Sequence, residues 1–379
     1  MNWTNEENAD NRNNPDILYK IALTQIPSIG NVLAKNLMAY CGSAEKIFKQ
    51  SKAKLLKIPG IGEKYAGHIL NFTDFSKAED EVKFIEKEGI QPIFYTDSAY
   101  PERLKNIPDA PVILYFKGKG DFNLPRMVGI VGTRMATAEG KEFCEKLVEG
   151  LKPFNCTIVS GLAYGIDIAA HKAAVQHNMP TVAVLAHGLD KIYPAQHANT
   201  AKKMTENGGL LTEYPKGTQP DKENFPTRNR IVAGMCDAVV VVETDLKGGS
   251  MITADIAFSY NRDVFAVPGR PGDSKSKGCN LLIKDNKAAL LESAQDLASM
   301  MRWDVADTKP KKSPKQITLM LEGSQGLVAG MLGNVDAMGI DDISFKTGLS
   351  LNETSLALLE LELAGLVKGM PGKMFKLVG

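Results

Sequence analysis

Three glycine-rich stretches in this chain are built to hold phosphate: residues 129–140 (GIVGTRMATAEG), 160–174 (SGLAYGIDIAAHKAA) and 243–257 (ETDLKGGSMITADIA). Each follows an apolar run and leads into a helical pattern. Glycine admits a ligand close to the backbone, and a helix start offers unpaired N–H groups at a positive dipole end. Gly132, Gly161, Gly165, Gly248 and Gly249 would let phosphates reach the main chain, and Thr133, Ser160 and Ser250 would add hydroxyl donors. Arg134 stands directly after the first strand, placed to pair with a phosphate, and Lys247 sits in the third loop. Residues 224–243 (NFPTRNRIVAGMCDAVVVVE) add Arg228 and Arg230 on either side of Asn229. Those arginines either grip a backbone or a flipped base, or pair internally and brace their loop. The glycines likewise have a plainer reading, as tight strand-to-helix turns.

Other chemistry finds little support. There is neither G-x-x-x-x-G-K-[ST] nor G-x-G-x-x-G, which weakens ordinary ATP or dinucleotide binding. The five histidines form no H-x-x-H or H-E-x-x-H, and Cys41, Cys144, Cys156, Cys236 and Cys279 form no C-x-x-C. No metal, cofactor or catalytic set is expected. His187, closing a strand, either contacts a base or phosphate or caps a loop. Asp167 and Asp255 fall just inside helices, where the dipole alone favours an acid.

The elements that must position these loops are readable. QPIFY, VILYFKG, MVGIVG, CTIVSG, TVAVLA, GLLTEY, AVVVVE and VFAVP are nearly all apolar, as in strands covered on both faces, and they alternate with helical stretches. That pattern predicts an α/β core: an extended, mostly parallel Rossmann-like sheet over 79–302. In an open parallel sheet, ligands bind beyond the carboxyl ends of the strands, so three glycine loops on one edge make a row of anion sites. Residues 1–15 read as a disordered tail. Residues 16–78 read as an all-helical domain with two related turns, IPSIG at 26–30 and IPGIG at 58–62. Such turns resemble the helix-hairpin-helix motif. The eight lysines of 17–75 against three acids leave DNA contact and plain packing both open there. Residues 303–316 read as a polar linker. Residues 317–379 read as a small winged-helix-like domain, with Leu356, Leu359, Leu363 and Leu366 expected in its core.

The net charge of +1 predicts no polyanion partner by itself, so a nucleic-acid site must come from local clustering. The N-terminus is not a signal peptide, no apolar run approaches membrane-spanning length, and a reducing cytoplasm fits the scattered cysteines.

Across roughly 127–285 the runs VGTR, SGLAYGIDIAAHKAA, AVLAHGLDKIYP, FPTRNRIVAG and GGSMITADIA resemble the DNA-processing protein A (DprA/Smf) family. The resemblance implies a non-enzymatic homodimer that binds single-stranded DNA. It further implies protection of incoming DNA and its delivery to the RecA recombinase during natural transformation. Arg134 matches the arginine of the family's VG[ST]R motif, and Arg228 and Arg230 match its RNR motif. Gly248, Gly249 and Ser250 occupy an SGS stretch in which glycine replaces the first serine. Where relatives carry a lysine or asparagine tract after Tyr193-Pro194, this chain reads Ala195-Gln196-His197, leaving Lys191 upstream to compensate. Two rival readings are a Rossmann-like nucleoside-monophosphate phosphoribohydrolase and a nucleotide sensor. The hydrolase motif PGGxGTxxE has only its two glycines in LKGGSMITAD.

The C-terminal domain is an unpromising DNA reader despite its winged-helix pattern. Its candidate recognition helix, 352–364, holds Glu353, Glu360 and Glu362 and no lysine or arginine, and residues 316–379 carry four lysines against seven acids. Truncation after Trp303 is expected to leave single-strand affinity within a few-fold of the full chain. A loss of about 1.4 kcal/mol, a factor of ten, with the core still folded and dimeric would show that the tail binds DNA.

Overall fold

Nine short strands, nearly all buried, form the central sheet of this computed structural model. The structure describes residues 16–303, 323–333, 337–364, 366–370 and 374–377. The expected tail, 1–15, and nearly all of the expected linker, 304–316, lie outside the described residues.

The strands are β1 Gln91–Phe94, β2 Ile113–Lys119, β3 Met127–Val131, β4 Thr157–Ser160, β5 Thr181–Val184, β6 Gly208–Thr212, β7 Ala238–Val241, β8 Asp263–Ala266 and β9 Ala289–Leu290. Their order across the sheet is β1-β2-β6-β5-β4-β3-β7-β8-β9. From β6 to β9 every pairing is parallel, while β1 and β2 add an antiparallel flank. The apolar runs therefore become the expected mostly parallel sheet. The two-residue β9 was not anticipated, being too short to carry a pattern. The chain starts the parallel part at β3, winds outward to β6, then returns to the other side of β3 to lay down β7 and β8. The order reverses between β3 and β7, which is where an open α/β sheet leaves a crevice.

Strand periodicity divides the core. Met127 and Val131 of β3, with Val239 and Val241 of β7, face the helices Asn224–Met235 and Gly249–Ser259. Val128 and Ile130, with Ala238 and Val240, face the helices Ala138–Leu151, Ile166–Gln176 and Ala294–Met300. Both faces are covered, which is why the strands lack polar alternation.

The front residues are helical hairpins. Ile26 and Ile29 of the first turn and Ile58 and Ile61 of the second are buried together. Ser28 and Gly60, equivalent positions of the two turns, both take a left-handed backbone. His68 Nδ1 donates to the Pro27 carbonyl at 2.8 Å, pinning the second hairpin to the first turn. Their core continues into β1 and β2 through Phe94, Ile113 and Tyr115. Several of the lysines expected to give this domain its positive charge are engaged locally: Lys20 with Asp16, Lys49 with Glu45 and Lys52 with Glu63.

The chain divides into two units, residues 1–305 and 306–379. The second has helices Gly323–Leu332, Ile340–Thr347 and Leu351–Leu363 and a three-stranded sheet of Met338–Gly339, Val367–Met370 and Met374–Leu377. Ser350 and Glu353 form a capping box at the start of the last helix. Of the four expected core leucines, Leu366 packs partly buried against this core and the other three are corrected. Leu356, Leu359 and Leu363 are exposed, Leu363 by 80%, and Ala357, Leu358 and Leu361 point inward instead. The helix carries two apolar stripes, and only one can face the core.

A buried histidine makes the stability of the sheet pH-dependent. His171, fully buried on Ile166–Gln176, bonds through Nδ1 to Thr181 Oγ1 at 2.7 Å. The threonine hydroxyl is already donating to the Ile158 carbonyl, so it accepts from the imidazole, leaving Nε2 bare. Burial, then the Arg228 charge, hold the imidazole down at about 3 against an ordinary 6.5. Its folded pKa is depressed, so the stability it contributes is complete above pH 6.5 and drains away as the pH falls toward 3. In urea unfolding, His171→Gln should flatten the decline below pH 6.5 by about 1.4 kcal/mol per pH unit. An unchanged slope would place the acid sensitivity elsewhere.

Candidate functional site

The loops after β3, β4 and β7 converge at the switch point on a cavity of about 340 Å³. Backbone bonds fasten the loops together. The Thr133 amide donates to the Glu243 carbonyl at 2.7 Å, and the Ile166 amide to the Thr133 carbonyl at 3.3 Å. Glu243 adds its carboxylate, accepting from the Thr137 amide at 2.9 Å and the Thr137 hydroxyl at 2.5 Å. Thr137 in turn caps the helix Ala138–Leu151 by accepting from the Gly140 amide. Glu243 was not singled out from the sequence; an acid closing a strand looks like an ordinary loop residue.

Eight of the expected residues line this cavity: Gly132, Thr133, Arg134, Arg228, Asn229, Gly248, Gly249 and Ser250. Arg134 is exposed, and no carboxylate pairs with it among the described residues. Its guanidinium lies 4.9 Å from the centre of the Phe225 ring. Ser250 stands in the first turn of Gly249–Ser259, a helix with no side-chain cap, and its buried hydroxyl has no hydrogen-bond partner. An uncapped helix start with an unsatisfied hydroxyl is a site for an anion.

Arg228 forms the floor of the cavity and is not free within it. It is 3% exposed, and its Nη1 donates to the Gly161 carbonyl at 2.8 Å and to the Val184 carbonyl. Its Nε donates to Asn229 Oδ1 at 3.1 Å. Gly161 has to be glycine for this to happen, since a Cβ there would fall 2.4 Å from the guanidinium. Asp167 is buried alongside and accepts from the Gly161 amide at 3.1 Å and the Ala163 amide at 3.4 Å. Burial pushes the Asp167 carboxyl up, while Arg228 pulls it back. Burial brings Arg228 down to about 10, which keeps it charged at neutral pH.

The remaining expected residues lie elsewhere. Arg230 does not reach the cavity: it is buried, bound to Glu213 and to the Asp109 carbonyl at 2.6 Å, so of the two readings of the arginine pair its geometry is the bracing one. Ser160 is fully buried and donates to the Ile130 carbonyl at 2.6 Å, so its hydroxyl is not offered to a ligand. His187 is buried with Nδ1 on the Gly188 carbonyl, the loop-capping alternative. Lys191 pairs with Asp190 at 3.6 Å beside a different cavity, shared with Lys117 and Lys202. Lys247 is exposed next to Gly248. Gly165, at a φ of 78° that favours glycine, packs against the Thr133 carbonyl and borders an adjoining groove. Sequence reasoning missed Phe225, although an aromatic three residues before an arginine pair was a usable sign.

Chemically, the cavity offers amides, hydroxyls, a free guanidinium and an aromatic face. Its lining contains one carboxylate, Asp167, already committed to backbone amides, and no histidine or cysteine. Among the described residues no group of three or more histidines, cysteines or acids is arranged to hold a metal, and no helix is long and apolar enough to cross a membrane.

Comparison with known proteins finds family models for three segments of the chain. Residues 91–302 match the family model of DNA recombination-mediator protein A, residues 312–373 the DprA winged helix domain, and residues 20–72 a SAM-like helix-hairpin-helix tandem. The chain is 33% identical to Protein Smf of Synechocystis sp. over 96% of its own length and 99% of that protein. It is 43% identical to the DNA processing protein DprA of Streptococcus pneumoniae, covering 66% of this chain and 96% of that one. The X-ray structure of DNA processing protein A from Streptococcus pneumoniae superimposes with a TM-score of 0.62 at 33% identity, over 76% of this chain and 98% of that one. A structure of DNA processing protein A from Helicobacter pylori, described for its single-stranded DNA binding mode, gives 0.52 at 30% identity over 56% and 98%.

The two arginines should separate in a thermal and binding assay. Arg228→Ala leaves two buried carbonyls without their guanidinium donor, removes the charge beside the buried Asp167, and should cost about 3 kcal/mol of stability. Arg134→Ala removes an exposed, unpaired group and should leave the melting transition in place. Equal melting of the two variants would contradict the assignment of brace and ligand contact.

Proposed function

Since the chain belongs to the DNA recombination-mediator protein A (DprA/Smf) family, we propose that it binds single-stranded DNA in the switch-point cavity and performs no chemistry on it. The observation that carries this reading is the cavity's composition. Helix-start amides and the unpartnered Ser250 hydroxyl suit a phosphate. Arg134 supplies a positive charge, and its guanidinium, lying over the Phe225 ring, gives a planar cation backed by an aromatic against which a base can stack. The cavity lining among the described residues offers contacts suited to phosphate and not a row of side chains from a groove-reading helix, which supports a preference for the strand and not its sequence. The single acid of the cavity is bound to the main chain, which supports a binding site and not an assembled nucleophile and base. We further propose that the protein works as a homodimer in the cytoplasm, shields incoming DNA and hands it to the RecA recombinase during natural transformation. The kinship with proteins named for DNA processing and recombination mediation supports that step.

Titration with single- and double-stranded oligonucleotides at two salt concentrations tests the proposal. If about three phosphates are neutralised per protomer, log K should fall with log salt at a slope of about −2. Single strands should be preferred, and Arg134→Ala should weaken all sequences alike, by about tenfold. Equal affinity for duplex, or a flat salt response, would overturn it. Release of free base from a nucleoside monophosphate would favour the phosphoribohydrolase instead, and tight mononucleotide binding without oligonucleotide binding would favour a sensor.

A further inference from the structure

A second groove, of about 370 Å³, adjoins the switch-point cavity and shares Arg134 with it. We propose that it is a separate subsite for the same single strand: the chain of nucleotides passes Arg134 and continues over Tyr164, with its phosphates on Lys141 and Lys172. This rests on the reading of the first cavity as a single-strand site.

Two lysines reach the groove from different helices, Lys141 from Ala138–Leu151 and Lys172 from Ile166–Gln176. Both are exposed. Neither makes an ion pair among the described residues, whereas Lys146, on the same helix as Lys141, is held by Glu142 at 2.7 Å. No acid lines the groove. Lys141 also stands near the start of its helix, where a cation opposes the dipole and contributes nothing to the fold. Two free cations and Arg134 around one acid-free groove give a local positive field in a chain of net charge +1.

The groove also has a platform. Tyr164 is 41% exposed, yet its ring is held. The hydroxyl donates to Gln196 Oε1 at 2.8 Å, and the ring meets the His197 imidazole at 5.1 Å in an edge-on arrangement. His197 is buried and fixed by Nδ1 on the Leu162 carbonyl at 2.8 Å. A ring fastened on one side and open on the other loses little freedom when a base stacks on it. Met135, more exposed still, offers an adaptable apolar surface opposite. The volume lies at the small end of ligand pockets, roughly 300–1,000 Å³, and suits one nucleotide. Cations with a stacking face select a strand whose bases are free; in a duplex the bases are already stacked and paired.

Strand length separates this subsite from the first cavity. The intact protein, Lys141→Ala/Lys172→Ala and Tyr164→Ala would be titrated with a thymidine trinucleotide and with a thymidine strand of about 15 nucleotides. Both lysines are exposed, so their replacement leaves the fold in place. The longer strand should bind the intact protein more tightly. Each variant should weaken the longer strand by about fivefold or more and leave the trinucleotide unchanged. The double lysine variant should also lower the salt slope by about 1.4. Unchanged binding of the longer strand by both variants would overturn the subsite and leave the first cavity standing. Equal weakening of both lengths would show that these residues serve the first cavity, again overturning it. Failure of the intact protein to bind either length would instead overturn the proposed function.

Discussion

A guanidinium buried beneath the carboxyl edge of the sheet holds the site in shape. Arg228 comes from the helix after β6 and donates to carbonyls at the ends of β4 and β5. Asp167, from the helix after β4, lies beside it and gathers the amides of the second glycine loop. Such a buried charge is costly unless well bonded, and breaking it strands its partners. In return it fixes the floor of the cavity, so that loops from three strands hold one arrangement around the uncapped helix start at Gly249 and Ser250. Glu243 does the matching task above, tying the first loop to the third. With brace and tie in place, Arg134 needs no carboxylate partner and the Ser250 hydroxyl no hydrogen-bond partner.

The proposed anion site at the switch point would also let a nearly neutral chain favour a polyanion. The field comes from aligned helix starts and a few unpaired cations, not from net charge. Elsewhere among the described residues several charges are paired with each other: Arg103 with Asp237, Arg230 with Glu213, Lys287 with Asp255. Acidic and apolar side chains occupy the outward face of the last helix in the C-terminal unit, which gives that unit no comparable field.

Much of this was legible in the sequence because each feature rests on local chemistry. Apolar runs of four to seven residues marked eight of the nine strands, and the glycine loops marked the edge where the cavity opens. What the sequence hid was the direction of long side chains. Arg228, Asn229 and Arg230 are consecutive, yet one arginine turns under the sheet and the other toward Glu213. Helix phase and crossover geometry decide that, and neither appears in a motif. Ser160 looked like a donor because it ends a strand; its hydroxyl instead closes on the neighbouring β3 at Ile130. The leucine stripe of the last helix misled for a related reason, since either of two stripes has the spacing of a core. Glu243 went unremarked because its role arises only when distant loops meet.

The central claim is that the phosphate sits on the switch-point loops. A structure of the full chain with a short thymidine oligonucleotide tests it most directly. The account predicts a phosphate within hydrogen-bonding distance of the Gly249 and Ser250 amides and the Arg134 guanidinium, with Arg228 unmoved below. A strand lying on the front hairpins or on the C-terminal helix, with the switch-point cavity vacant, would contradict it.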